Sequence, residues 1–197
     1  MSSKTISLSA AAIVAVGVAG YLSLRAVTGL GTPRDESQTK RLEHLFDTEL
    51  YFTSDSPKDV AVPADNREGD FLGNGEGTLT GGKIQGKMRW SWYAASCAYL
   101  LVKQGKEVPP GQDLCYENPG GYIVTNDGAT IKFDARGYGL RGYDESKPHW
   151  WNITMALQFS TEDERYKWLN TRFGVMEGRF DEKAGRARHR VYIQVIE

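Results

Sequence analysis

Two stretches of strict alternation constrain this chain more than anything else in it. Ile84, Gly86, Met88, Trp90 and Trp92 alternate with Lys83, Gln85, Lys87, Arg89 and Ser91. Trp151, Ile153, Met155, Leu157 and Phe159 alternate in the same way with Asn152, Thr154, Ala156 and Gln158. Only a pleated strand sends successive side chains to opposite faces, so each stretch predicts a strand with one buried and one wet face. The same period runs through Leu42, His44, Phe46, Thr48, Leu50 and Phe52, and through Val191, Ile193 and Val195. Tyr93–Val102, Gly121–Thr125 and Ala129–Ala135 predict three more strands, the last two joined by a tight turn at Asp127-Gly128. One stretch departs from the pattern. Within Ser160–Asn170, Thr161 and Glu164 are spaced as in a capping box, and Tyr166, Leu169 and Phe173 offer one apolar stripe. A helix of about eight residues is expected there. Seven or eight strands and one helix predict a mainly β fold, either a closed barrel or a sandwich.

Ahead of this domain, Ile6–Leu24 is a 19-residue uncharged run rich in Ala and Gly. It approaches the roughly 20 residues that a membrane-spanning helix needs. Residues 1–24 are therefore expected to form an N-terminal hydrophobic helix, a retained signal-anchor with a cleaved signal as the alternative. Basic residues follow the run (Arg25, Arg34, Lys40, Arg41) while only Lys4 precedes it, which favours a cytosolic domain on a single-pass protein. Cleavage would instead leave the domain secreted or lumenal, the one setting in which the sequon Asn152-Ile153-Thr154 would matter; its place inside a strand-like run makes it a poor acceptor, and chance occurrence is the plainer reading. Residues 25–40 combine Gly, Pro, Ser, Thr and charge without apolar period and are expected to be a tether, with the barrel domain over 41–197.

Lys and Arg number 24 against 25 Asp and Glu, a net charge of −1, which supplies no electrostatic footprint for nucleic acid. Two cysteines, Cys97 and Cys115, are too few for a disulfide scaffold. Buried free thiols are the expectation, with a single bridge as the alternative. Motifs for nucleotide, zinc-protease and serine-hydrolase chemistry are missing, and His44, His149 and His189 are not spaced as metal ligands. No metal and no cofactor is expected.

Several runs resemble one family: Leu42-Glu43-His44-Leu45-Phe46, Gly75-Glu76-Gly77-Thr78-Leu79-Thr80-Gly81 with Gly86, Thr125-Asn126-Asp127-Gly128-Ala129, Phe159-Ser160-Thr161 with Asp163, and Arg165-Tyr166-Lys167-Trp168-Leu169-Asn170. Together they are similar to the domain-of-unknown-function family 3237, over about Leu42 to Val195. The resemblance implies a small antiparallel β-barrel and no general activity. The family pattern carries a short acidic turn and an Arg before the hairpin, where this chain has Glu117-Asn118-Pro119-Gly120-Gly121 and a longer insertion, Val108–Asp113.

Candidate site residues follow from the predicted faces. His44 is placed on the inward face of the first strand, where an imidazole can act as acid or base near neutral pH, against the plainer role of a core histidine. Trp90, Trp92, Tyr122 and Trp151 are expected either to fill the core or to line an aromatic cavity. Lys132, Asp134 and Arg136 share one face opposite Ile131, Phe133 and Ala135. That face is solvated, or else it lines a barrel mouth where Arg136, oriented by Asp134, grips an anionic group. His149-Trp150-Trp151 opens a strand after a loop, where mouth residues sit, and Arg186, Arg188, His189 and Arg190 are expected along a solvated hairpin edge. Three functions suit these residues. One is a membrane-tethered or exported barrel binding a small apolar or aromatic molecule. Another is a cofactor-free isomerase, cyclase or dehydratase acting on such a molecule through His44 or the Asp134/Arg136 pair. The last is a packed barrel serving as an interaction module or membrane-assembly subunit. The first two require a void among Trp90, Trp92 and Trp151; the third requires an exposed apolar patch.

Overall fold

A computed structural model describes residues 41–65, 67–97, 101, 104–107, 114–141 and 149–195. The expected N-terminal helix, the tether and the 108–113 insertion lie outside the described residues. Among the described residues no helix is long and apolar enough to cross a membrane.

Nine strands form one sheet: β1 Leu42–Ser54, β2 Asp70–Thr80, β3 Gly86–Ala95, β4 Leu114–Glu117, β5 Gly120–Thr125, β6 Thr130–Arg141, β7 Trp150–Ser160, β8 Phe173–Asp181 and β9 Arg186–Gln194. All pairings are antiparallel and run round in chain order, with β9 returning to β1 and β2 pairing with β3. β4 and β5 share a single position between β3 and β6, separated only at Asn118-Pro119. The sheet is thus a closed, eight-position, up-and-down antiparallel barrel without free edges. At the break, Asn118 N–H donates to Tyr93 O and Pro119 O accepts from Ala135 N–H, so the ladder is satisfied through the interruption.

The two stretches of strict alternation face as expected. Met88, Trp90, Trp92, Trp151, Ile153, Met155, Leu157 and Phe159 are all buried in one core. β2 and β8 escaped the periodicity because glycines hold inward positions: Gly75 and Gly77 in β2, Gly174 and Gly178 in β8. Gly75 is opposite Trp90, and a Cβ there would lie 2.4 Å from the indole, so that ring's volume requires the glycine. The predicted strand Tyr93–Val102 ends early, with Tyr93–Ala95 completing β3.

The eight-residue helix is corrected by the structure. A turn leads into a five-residue 3-10 helix, Lys167–Thr171, with no side-chain cap. Thr161 Oγ1 donates to Thr130 O and accepts from Asp163 N–H, so it is spent on turns. The segment clamps the β5–β6 hairpin instead. Arg165 and the Tyr166 hydroxyl both donate to the Asp127 carboxylate, and Asn170 exchanges two 2.9 Å hydrogen bonds with the Thr161 backbone. The hydrogen bond from Thr125 Oγ1, then that from the Tyr166 hydroxyl and the charge of Arg165, hold the Asp127 carboxyl below the ordinary aspartate range. Two runs of the family resemblance, Thr125–Ala129 and Arg165–Asn170, therefore lock one end of the barrel.

Candidate functional site

The opposite end, where β3, β6 and β8 terminate and β4, β7 and β9 begin, holds the chemically unusual groups. Polarity inverts there. In β4, Cys115 and Glu117 face inward while Leu114 and Tyr116 face out. Their β6 neighbours Gly137 and Gly139 face inward, and Tyr138 and Leu140 are over half exposed. Glu117 is 3 % exposed, and its carboxylate accepts from the Trp92 indole N–H without a salt-bridge partner among the described residues. Burial pushes its pKa up to about 8, so it is a neutral acid at pH 7. A Cβ on Gly139 would come within 2.4 Å of Glu117 Oε1 and 3.6 Å of the Trp151 ring, so the glycine makes room for the carboxyl.

Around Glu117 the end of the barrel is aromatic. Phe52 stacks on Trp92 at 5.3 Å and 21°, and its ring centre lies 5.1 Å from that of Trp90 and 5.4 Å from that of Phe180. Trp151 Nε1–H donates to Glu182 at 2.7 Å, and Glu182 is ion-paired to Arg141, whose guanidinium lies 5.8 Å from the Trp151 ring centre. Cys97 and Cys115 are joined in a disulfide two residues from Glu117, which corrects the expectation of free thiols. Pairing brings both cysteines to the end of one barrel, a proximity that their spacing in sequence does not show.

Beneath this layer is a void of about 20 Å³, lined among others by Trp90, Trp92, Phe133 and the three methionines Met88, Met155 and Met176. That is room for one water, but the lining is apolar. Trp90 Nε1 and His189 Nε2 are buried and have no hydrogen-bond partner among the described residues. His189 Nδ1 lies 3.3 Å from Thr48 Oγ1, and burial drops the imidazole's pKa to about 4, leaving it neutral.

The sequence candidates separate into two groups. Trp90, Trp92 and Trp151 lie inside, at most 5 % exposed. His44 does not, which corrects its expected inward placement. Leu45 is an extra residue between the pairs His44–Tyr192 and Phe46–Val191, and this bulge reverses the phase of the strand. The His44 side chain is 37 % exposed and 3.1 Å from Asp47 Oδ1. Tyr122 is on the outer face, 39 % exposed. Asp134 and Arg136 are also outside: Asp134 is ion-paired to Arg67, and Arg136 lies 3.5 Å from Glu68. Arg67 additionally donates to Pro119 O at the β4–β5 break. His149 lies 3.6 Å from Asp181 at the rim, and His189 lies within the barrel rather than along a solvated edge.

Glu117, Glu182 and Arg141 escaped sequence reasoning. β4 carries its apolar residues outward, so an alternation argument places Glu117 in solvent. Its position two residues from Cys115 would have revealed it only once the bridge was known.

The fold recurs in solved structures. A beta-barrel like protein from Acinetobacter baumannii AYE superimposes with a TM-score of 0.56 at 15% identity, covering 82% of this chain and 100% of that one. A protein of unknown function from Clostridium acetobutylicum ATCC 824 gives 0.53 at 14%, covering 80% and 99%. A conserved protein of unknown function from Rhodopseudomonas palustris gives 0.53 at 15%, again covering 80% and 99%. At these identities the likeness concerns the fold alone. No curated protein matches by sequence. The family model described as protein of unknown function (DUF3237) matches residues 40–197, essentially the whole barrel domain, and the chain belongs to that family.

Proposed function

We propose that the domain binds a small apolar or aromatic molecule at the Glu117 end of the barrel, where the buried carboxyl meets it as a hydrogen-bond and proton donor. The observation that carries this is Glu117 itself: a carboxyl buried without a cation among the described residues, held by the indole of Trp92, a ring that also lines the apolar void. Burying such a group costs several kcal/mol in general, and ligand sites are where proteins tolerate that cost. A neutral acid among aromatic rings suits a phenol, ketone or enol better than an anion. It can also supply the proton that a cofactor-free isomerisation or dehydration delivers to a carbonyl or leaving hydroxyl.

The void does not hold such a molecule as it stands. Half-buried Phe52 packs on Trp90 and Trp92, two of its lining rings, and methionines, whose unbranched chains repack readily, form much of its wall. Entry therefore displaces Phe52 and re-sorts Met88, Met155 and Met176. In this proposal the hydrophobic segment at Ile6–Leu24 delivers the domain to a membrane, where apolar molecules partition.

A second function, a packed interaction module, is favoured by the smallness of the void and by an outer hollow of about 850 Å³ bordered by Tyr51, Tyr122 and Val124. Tryptophan fluorescence and thermal shift of the full chain against phenolic, polyketide-like and fatty-acid-like compounds separate the two. A saturable quench with a raised Tm, weakened in Glu117→Gln, is the result expected for binding. A flat response across the panel would leave the packed module.

A further inference from the structure

The geometry points to Asn152 as an N-glycosylation site on a domain that works in an oxidising compartment. Three observations meet there. The sequon Asn152-Ile153-Thr154 lies in β7 with Ile153 turned into the core and both Asn152 and Thr154 exposed on the outer face. A glycan on an inward residue would forbid barrel closure; on this face it leaves the fold untouched. The Cys97–Cys115 disulfide, independent of the sequon, is the kind of bond that persists in secretory compartments and is rare in the cytosol. It favours the lumenal or secreted setting over the cytosolic one.

The surroundings of Asn152 fit a sugar chain. Across one strand its neighbours are Leu140 and, beside Thr154, Tyr138, which are 51 % and 55 % exposed; Tyr138 in turn packs on Tyr116. This is an apolar strip on an outer barrel face, and a glycan rooted at Asn152 would cover it. On the other side, a surface hollow of about 920 Å³ takes in Asn152, Thr154, Glu177, Arg179 and Trp150, with Arg179 5.7 Å from the Trp150 ring centre. Carboxylate, guanidinium and an indole are the groups that hold sugar hydroxyls and stack on sugar rings.

In the modification, Asn152 Nδ2 forms a bond to C1 of the first sugar of a lipid-diphosphate-linked oligosaccharide. The C1–O bond to the diphosphate breaks, the lipid diphosphate leaves, and one amide proton is lost to base. This inference does not rest on the binding function proposed above.

The test is intact-mass and peptide mapping of the full chain produced in cultured eukaryotic cells. Asn152 is expected to carry a carbohydrate increment that a peptide N-glycosidase removes, leaving an aspartate at that position. Asn152→Gln and Thr154→Ala should each abolish the increment, and Asn152→Gln should keep the Cys97–Cys115 bridge on a non-reducing map. Bridged protein with an unmodified Asn152 would overturn the inference, as would chain recovered with both cysteines as free thiols.

Discussion

Replacing Glu117 by Gln exchanges an ionisable group for a neutral one of nearly the same shape between Trp92 and Gly139. Folded, Glu117 releases its proton only near pH 8; unfolded, it does so near 4.5. Between those values the folded state binds the extra proton, so stability from this group is full below pH 4.5 and is lost as the pH rises. At about 1.4 kcal/mol per pH unit the loss reaches about 5 kcal/mol. His189 acts in the opposite sense. Its folded pKa near 4 lies below the unfolded 6.5, so the unfolded state binds the extra proton and stability falls on acidification through that window, by about 3 kcal/mol. From pH 4.5 to 6.5 the two slopes cancel, and above 6.5 only that of Glu117 remains, costing about 2 kcal/mol by pH 8. The wild type should therefore show a plateau and then a decline from this pair. Glu117→Gln should climb to about pH 6.5 and stay level above it. Urea unfolding followed by tryptophan fluorescence at a series of pH values reads the difference directly. Parallel profiles for the two proteins would refute a buried, neutral Glu117.

Gly139→Ala should destabilise by about 1–3 kcal/mol, since its Cβ overlaps the Glu117 carboxyl. The cost should shrink in a Glu117→Ala background, and a double-mutant cycle by thermal unfolding measures that coupling. Cys115→Ser opens a bridge spanning 18 residues and should cost about 3 kcal/mol in chemical denaturation. His44→Ala removes an exposed side chain and should shift stability by less than about 0.5 kcal/mol, with no effect in the ligand panel.

The candidate site was legible only in its apolar half. Trp90, Trp92 and Trp151 could be placed inside because each belongs to a long alternation whose phase is set by its own strand. Glu117 could not, because Leu114-Cys115-Tyr116-Glu117 has an alternation with the wrong face apolar. His44 was misplaced by a single extra residue, Leu45, whose carbonyl accepts from the Lys83 and Ile84 amides of the β2–β3 connection. No local pattern announces that bulge, because the partners that stabilise it come from a distant turn.

What this sequence determined by itself is its β character, the hairpin at Asp127-Gly128 and the burial of its tryptophan stripes, because alternation and turn chemistry are properties of neighbours along the chain. Tertiary structure decided the rest: Gly75 as the space beside Trp90, Gly139 as the space beside Glu117, the joining of Cys97 to Cys115, and the near-filling of the interior. Each of these depends on which residues face one another across closed strands. That register is set by the energy of the whole barrel rather than by any segment of it.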